Sequence, residues 1–436
     1  MTNSPRQMHL GVLINGTGNH IGGWRQPDAM VGAMDFNVLR RITETAERGR
    51  FDMIFLADSP SSSLNSSATD VVHLEVLTTL AGLAVTTENI GLAATVSTTY
   101  SEPYNVARML SSIDHMSGGR VGWNVVTSAD PDTAANFGLD AHPAKETRYE
   151  RASEFVKVAK GLWNSWEDDA LKEDRVNGEF IDKSKRHELN HKGRFFSIKG
   201  PLNASRSPQG YPVILQAGSS ATGIAFAAET AEVIFVVQDT IKGAKAFVEK
   251  VREEAEKLGR DPTKIKFLPG LAPLVADTED AGKAELAKLA SFINPDAALN
   301  QLSVRMGMDL SGYALDGPVP EVPDNNETRG YARILAAAAK RHNFTLAQLR
   351  DYGAMAAGHA VMIGPAEKIA DEMQAWFEAG AADGFNILPP YWGPGFDRFV
   401  DQVVPILQKR GLFRSEYTGK TLRSHLGLNR PEFPGR

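Results

Sequence analysis

The chain contains no cysteine. That absence removes disulfide frameworks, iron–sulfur clusters, thiolate nucleophiles and cysteine-based zinc sites together. Redox chemistry here has to come from a bound organic cofactor or from a site of histidines and carboxylates. Long apolar runs are missing as well: no stretch of about 18 uninterrupted apolar residues occurs. The start MTNSPRQMHL also lacks the charged-then-apolar layout of a secretory signal. No membrane partner and a cytoplasmic location are the expectations. Nor is there an excess of positive charge. Lys and Arg number 47 against 53 Asp and Glu, for a net charge of −6, so no basic field draws in a phosphate backbone or an anionic bilayer. Nucleic acid is not an expected partner.

What the chain does have is a globular balance, 42% hydrophobic and 23% charged residues over 436 positions, which suits one large α/β unit with insertions. Eight apolar runs punctuate it: HLGVLIN (9–15), MIFLAD (53–58), IGLAATVST (90–98), RVGWNVVTS (120–128), PVILQAG (212–218), EVIFVVQ (232–238), KIKFLPGLAPLVA (264–276) and GFNILP (384–389). Helical spacing follows each run, as in Phe36, Leu39, Ile42 and Ala46 after the capping residue Asp35. Continuously apolar runs alternating with helices predict parallel strands covered on both faces. A (β/α)8 TIM barrel over residues 1–436 is the expected fold. An open doubly wound sheet is the competing architecture, and closure rests on the count of eight. Two blocks break the rhythm, a charged one at about 167–207 and an irregular one at about 291–353 that carries DGPVPEVPDNN. Both are read as insertions, and 411–436 as an arm that packs on the barrel or on a partner subunit.

In this architecture function gathers at the C-terminal ends of the strands. Those ends supply Asn15, Asp58, Thr95 to Thr98, Asn124 to Ser128, Gln216 to Ser220 and Gln238. Hydroxyls, amides and glycine with a single carboxylate suit hydrogen bonding to a polar heterocycle, and no metal site is expected. HELNH (187–191) fits a zinc pattern that needs both histidines on one helix face, but it lies in the charged insertion beside helix-weakening Asn190 and Gly193. GTGNHIGG (16–23) follows the first strand like a dinucleotide loop. Its glycine spacing is wrong, and the next helix begins only after Asp35. Gly218, Ser219 and Ser220 join a strand to a helix, where backbone N–H groups can face a phosphate or simply form a capped turn.

Five separated segments, SGGRVGWNVVTS (117–128), ANFG (135–138), RYERA (148–152), GPLNASRSPQGYPVILQAGSS (200–220) and HIGGWR (20–25), together resemble the luciferase-like flavin monooxygenases. Within these, the chain is similar to the branch of nitrilotriacetate, EDTA and dibenzothiophene-sulfone monooxygenases. The resemblance implies a TIM barrel that uses FMN as FMNH2, delivered by a separate NAD(P)H:flavin reductase. With O2 it would oxidise a small organic substrate, with cleavage of a C–N or C–S bond. It also implies a homo-oligomer, dimer or tetramer. By matched position, Asp58 and Thr95 contact the flavin with Asn124 and Thr127 nearby, while Tyr149, Gly218, Ser219 and Ser220 hold the ribityl phosphate. Lys145 stands where the family usually has histidine, and its longer, always charged arm changes that role. His20 is the expected catalytic residue, an imidazole able to donate a proton near neutral pH. Trp24, His359 and Trp392 are further candidates on the substrate side. Hydride transfer with deazaflavin F420 on the same barrel, and flavin binding without turnover, are the alternatives left open.

Overall fold

The computed structural model describes residues 6–62, 69, 71–128, 130–322 and 330–434. Eight strands lie where the apolar runs placed them: β1 His9–Ile14, β2 Met53–Leu56, β3 Gly91–Ser97, β4 Val121–Val126, β5 Val213–Gln216, β6 Val233–Val236, β7 Lys266–Val275 and β8 Gly384–Ile387. All neighbours are parallel, in the ring order β6-β5-β4-β3-β2-β1-β8-β7, and pairing of Ile234 with Phe267 joins β6 to β7. The barrel is therefore closed, and the open-sheet alternative falls.

Strand residues alternate between the two faces. Leu10, Val12, Ile54, Leu92, Val121, Trp123 and Ile214 point outward and pack with the surrounding helices. Leu13, Met53, Phe55, Ala93, Val213, Leu215, Val233, Phe235 and Leu268 fill the inside. Carried around the ring, the strand registers bring Phe55, Asn124, Phe235 and Asn386, one from every second strand, to the same height. The Phe55 and Phe235 rings meet there edge to face, 5.6 Å apart. The layer above belongs to Leu13, Thr95, Ala217 and Gly270; Ala217 leaves room at the C-terminal mouth, and Gly270 admits the His359 ring.

The opposite mouth is closed by the C-terminal arm. Leu422 and Leu426 are fully buried in the inner cluster with Met53, Ala93, Val213 and Val233. The fit is close enough to require glycine in two strands: a Cβ on Gly91 would lie 2.4 Å from Leu422 Cδ1, and one on Gly122 3.2 Å from its Cδ2. Arg423 pairs with Glu232, and Arg414 with the buried Asp52, so charge as well as apolar contact holds the arm to its own barrel.

Three elements differ from the sequence reading. The block at 291–353 is not irregular, because it holds the helices Pro295–Met306, Gly330–His342 and Leu346–Ala356. Leu302, Met306, Leu310, Leu335, Leu346 and Leu349 give them a small core of their own. A ninth strand, Ala360–Gly364, pairs in parallel with the second half of β7, Leu271–Val275, beyond the ring. The helix that follows β8, expected over about 395–410, is broken by a π turn, Phe399–Val403, just before Pro405, which has no N–H for the regular ladder. Within 167–207 the described structure is two short antiparallel pairs, Leu171–Asp174 with Glu179–Ile181 and His191–Lys192 with Ser197–Ile198.

Truncating the plug is expected to loosen the barrel without touching its far mouth. Leu422→Ala should lower unfolding stability by about 2–5 kcal/mol, measured by urea denaturation. FMN affinity of the folded fraction should remain unchanged, and a variant as stable as the parent would contradict the plug.

Candidate active site

The C-terminal mouth opens on a cavity of about 300 Å³ lined by Asp58, Val125 to Ser128, Asp130, Tyr149, Gln216 to Gly218 and Phe226. Four sequence-predicted residues, Asp58, Thr127, Tyr149 and Gly218, thus share one wall. Thr95 and Asn124 lie directly beneath at adjacent register positions on β3 and β4. Asn124 Nδ2 donates to Thr95 Oγ1 at 2.9 Å, which leaves Asn124 Oδ1 buried without a partner. An orphaned acceptor in a barrel lumen is costly unless something arrives to donate to it.

Each wall is fixed locally. Asp58 ends β2, and its Oδ1 meets His73 Nε2 at 2.7 Å, a partner the sequence reading did not find because His73 lies in the loop before the next helix. At the end of β4, Ser128 adopts φ 49, left-handed backbone that a serine does not choose freely. Ser128 Oγ donates to Ser97 Oγ at 2.8 Å, Thr99 Oγ1 donates to the Thr127 carbonyl at 2.7 Å, and Arg148 donates to the Thr127 carbonyl at 3.1 Å. These bonds hold the turn that exposes Thr127.

On the β5 side the chain turns tightly through Gly218 into the helix Ala221–Thr230. Gly218 N–H donates to Gln216 Oε1 at 2.8 Å, and a Cβ at Gly218 would fall 2.3 Å from Gln216 Nε2. Ser220 is the helix cap, its Oγ accepting the Gly223 N–H at 3.1 Å. Tyr149 reaches the same turn, its ring edge to face with Phe226 at 5.8 Å and its hydroxyl 3.1 Å from where a Gly223 Cβ would sit. The two glycines, a helix N-terminus and a phenol form a cradle of the kind that accepts a phosphate. Ser219 sits in that turn, and Lys145 begins the helix Lys145–Trp163 one turn before Tyr149. Neither Ser219 nor Lys145 lines the cavity.

His20 is placed elsewhere on the mouth. The loop after β1 folds against residues 389–391: Asn19 and His20 N–H donate to the Pro389 and Pro390 carbonyls, and Ile21 N–H donates to Ala354 of the insertion. The glycines of GTGNHIGG serve this contact, since a Cβ at Gly18 or Gly23 would lie 2.8 or 2.3 Å from Pro390 O. His20 is buried, and its Nδ1 accepts the Gly22 N–H at 3.0 Å, so the ring proton resides on Nε2. Burial pushes its pKa down to about 4, against an opposing pull from Asp351. It is a neutral donor at pH 7. His359 is buried too, with its pKa pushed to about 3 by desolvation and then by Arg305. Trp392 is buried, with Nε1 donating to Gly16 O at 3.1 Å, whereas Trp24 is exposed.

The zinc-like HELNH segment is not helical. His187 pairs with Glu167 and His191 with Glu154, and no cluster of metal-ligating side chains occurs among the described residues. No helix among them is long and apolar enough to cross a membrane.

Comparison with known proteins agrees with this geometry. The luciferase-like monooxygenase profile matches residues 9–383. The chain is 49% identical over 435 residues to the N-acetyl-S-(2-succino)cysteine monooxygenase of Bacillus subtilis (strain 168), covering 99% of each. It is 44% identical over 442 residues to nitrilotriacetate monooxygenase component A of Aminobacter aminovorans, covering 98% of each. Among solved structures, riboflavin lyase with a modified FMN superposes at a TM-score of 0.86 with 30% identity, covering 98% of this chain and 97% of that chain. The chain belongs to the luciferase-like monooxygenase family. It is an FMNH2-dependent monooxygenase acting on small organic substrates, and the name component A is consistent with a two-component system.

Two of the buried histidines, His20 and His359, make stability pH-dependent. Both take up a proton in the unfolded chain near pH 6.5 but in the folded protein only near pH 4 and 3. Folding stability from this source is therefore full above pH 6.5 and lost as pH falls toward 4. The loss from His20 is on the order of 3 kcal/mol. Thermal unfolding from pH 7 to 4 should show the decline, and His359→Phe should flatten it; an unchanged slope would remove His359 as a source.

Proposed function

We propose that the enzyme is the cytoplasmic oxygenase component of a two-component system, fed with FMNH2 by a separate NAD(P)H:flavin reductase, and that it cleaves the C–S bond of a carboxylated thioether. The observation that carries the substrate class is the 49% identity, over 99% of both chains, with a monooxygenase named for such a thioether. Dimeric or tetrameric assembly and the barrel with two insertions and an arm belong to the same reading.

The residues at the mouth fit FMN. Asn124 Oδ1 is a buried acceptor awaiting an N–H donor, as a flavin ring edge offers. We assign Asp58, Thr95, Asn124 and Thr127 to the ring, and Tyr149, Gly218, Ser219 and Ser220 to the phosphate, with Lys145 adding positive charge behind Tyr149. When bound, FMNH2 supplies the two electrons that send one atom of O2 to water while the other enters the substrate. Oxygen inserted into the C–H bond beside sulfur gives a hemithioacetal-type adduct, which collapses to a thiol and a carbonyl compound. The same insertion beside nitrogen releases an amine, so one site chemistry serves both bond types. His20, neutral and with its proton on Nε2, is assigned the donor role. F420-dependent hydride transfer is the alternative the fold allows; the two sequence relatives named above are monooxygenases.

An assay with FMN, NADH, a generic flavin reductase and a panel of N-acetyl-S-(2-succino)cysteine, nitrilotriacetate and dibenzothiophene sulfone tests the substrate class. Thiol release from the thioether, dependent on O2, is expected; turnover of the amine or the sulfone alone would overturn it. His20→Ala should bind FMN with parental affinity yet form product about 10²-fold more slowly, with the reducing equivalents going to hydrogen peroxide. Unchanged coupling would take His20 out of the reaction.

A further inference from the structure

Asn386 is the polar member of its barrel layer that the flavin assignment does not use. It lies on β8, 1% exposed, and both Oδ1 and Nδ2 lack a hydrogen-bond partner. Its neighbours in register are glycines, Gly11 on β1 and Gly270 on β7. Neither position tolerates a side chain: a Cβ at Gly11 would lie 2.9 Å from Asn386 Oδ1, and one at Gly270 2.2 Å from His359 Nδ1. The space Gly270 leaves is filled by the His359 ring, which stacks on Phe235 at 5.1 Å with 15° between planes and stands edge-on to Tyr331 at 6.3 Å. His359 is 2% exposed, and its Nδ1 also has no partner.

Three unmet polar atoms thus occupy one flank of a closed lumen, where native proteins almost always satisfy such groups. The Phe55–Phe235 pair separates this flank from Asn124 on the opposite strand. We propose that Asn386 and His359 form an inner substrate subsite on the β7–β8 wall, which takes an uncharged carboxamide group of the substrate.

The donor and acceptor set selects that class. An asparagine amide offers one donor group and one acceptor, and a secondary amide presents the complementary pair. A carboxylate presents acceptors only and would leave Asn386 Oδ1 unmet. His359 cannot supply a charge to offset this, since burial keeps it neutral at pH 7. The nearby cation, Arg305, donates to the Gly353 carbonyl at 2.9 Å. The choice of substrate for the kinetic test rests on the thioether reading above; the subsite itself does not.

Two measurements decide it. Crystals of the parent enzyme soaked in N-methylacetamide should place the amide within hydrogen-bond distance of Asn386 and His359, and acetate soaks should leave that position without acetate. Amide binding elsewhere only, equal occupancy by acetate, or an ordered water that the amide does not displace would overturn the proposal. In solution, the parent should favour N-acetyl-S-(2-succino)cysteine over the corresponding free amine by about 10-fold or more in kcat/KM, because a site built to bond an amide rejects the analogue lacking it. Asn386→Leu and, separately, His359→Phe should shrink that preference to about 3-fold or less by raising KM for the N-acetyl compound, with FMN affinity unchanged. A preference kept in both variants would overturn the subsite. Should Asn386→Leu not fold, His359→Phe, which retains the stack on Phe235, decides alone. If the parent turns over neither compound, the thioether reading has failed, and the soaks still judge the subsite.

Discussion

A closed ring of strands fills its own lumen, so any polar group that faces inward must find its partner there or receive one from outside. This constraint organises the upper half of the molecule. Phe55 and Phe235 meet across the centre of one layer, and the two remaining places in it go to Asn124 and Asn386. A barrel built for stability alone would hold branched aliphatic residues at both. With amides there, the lumen is divided into two polar flanks on an aromatic partition, and of the small residues above, Ala217 lines the open mouth while Gly270 admits the His359 ring.

The surroundings of that layer serve it. Ser128 holds a strained backbone at the end of β4, and the bonds from Ser128 to Ser97 and from Thr99 and Arg148 to Thr127 keep it there. The Gly218 turn brings the N-terminus of the helix Ala221–Thr230 to the rim. His20 sits under residues 389–391 and against the helical insertion, so the loop after β1 and the insertion are fastened to each other as well as to the barrel. His20 and His359 are neutral, and beside the carboxylates of Asp58 and Asp130 the polarity available is that of amides, hydroxyls and backbone dipoles, which do not reorganise as water would.

Much of this was legible in the sequence, and the reasons are specific. The eight strands stand out because a parallel strand covered on both faces is apolar at every position, as in MIFL and VIFV. Asp58, Thr127, Tyr149 and Gly218 were placed by their positions at strand ends and by family resemblance, and they line one cavity. Asn386 was not legible. Within GFNILP it is one amide in an apolar run, and only closure of the ring makes it an inward residue between two glycines. His73 was missed because no periodicity marks a loop residue that reaches back to a strand end. The helices at 295–306 and 346–356 were hidden by the Pro/Gly cluster between them, which dominated the composition of the block. Strand Ala360–Gly364 was passed over because its partner, the second half of β7, had already been counted as part of one long run.

The arm that closes the lower mouth bears on how the chain reaches its native state. Leu422 and Leu426 occupy the lumen beside residues from β2, β3, β5 and β6, yet they are translated after every strand of the ring. Until they emerge, Gly91 and Gly122 face an empty axle hole lined by Met53 and Val233, and the nascent barrel exposes an apolar funnel. The keystone of the barrel is therefore made later than every strand that it locks, and a stall before it emerges would strand the ring in a form suited to chaperone capture.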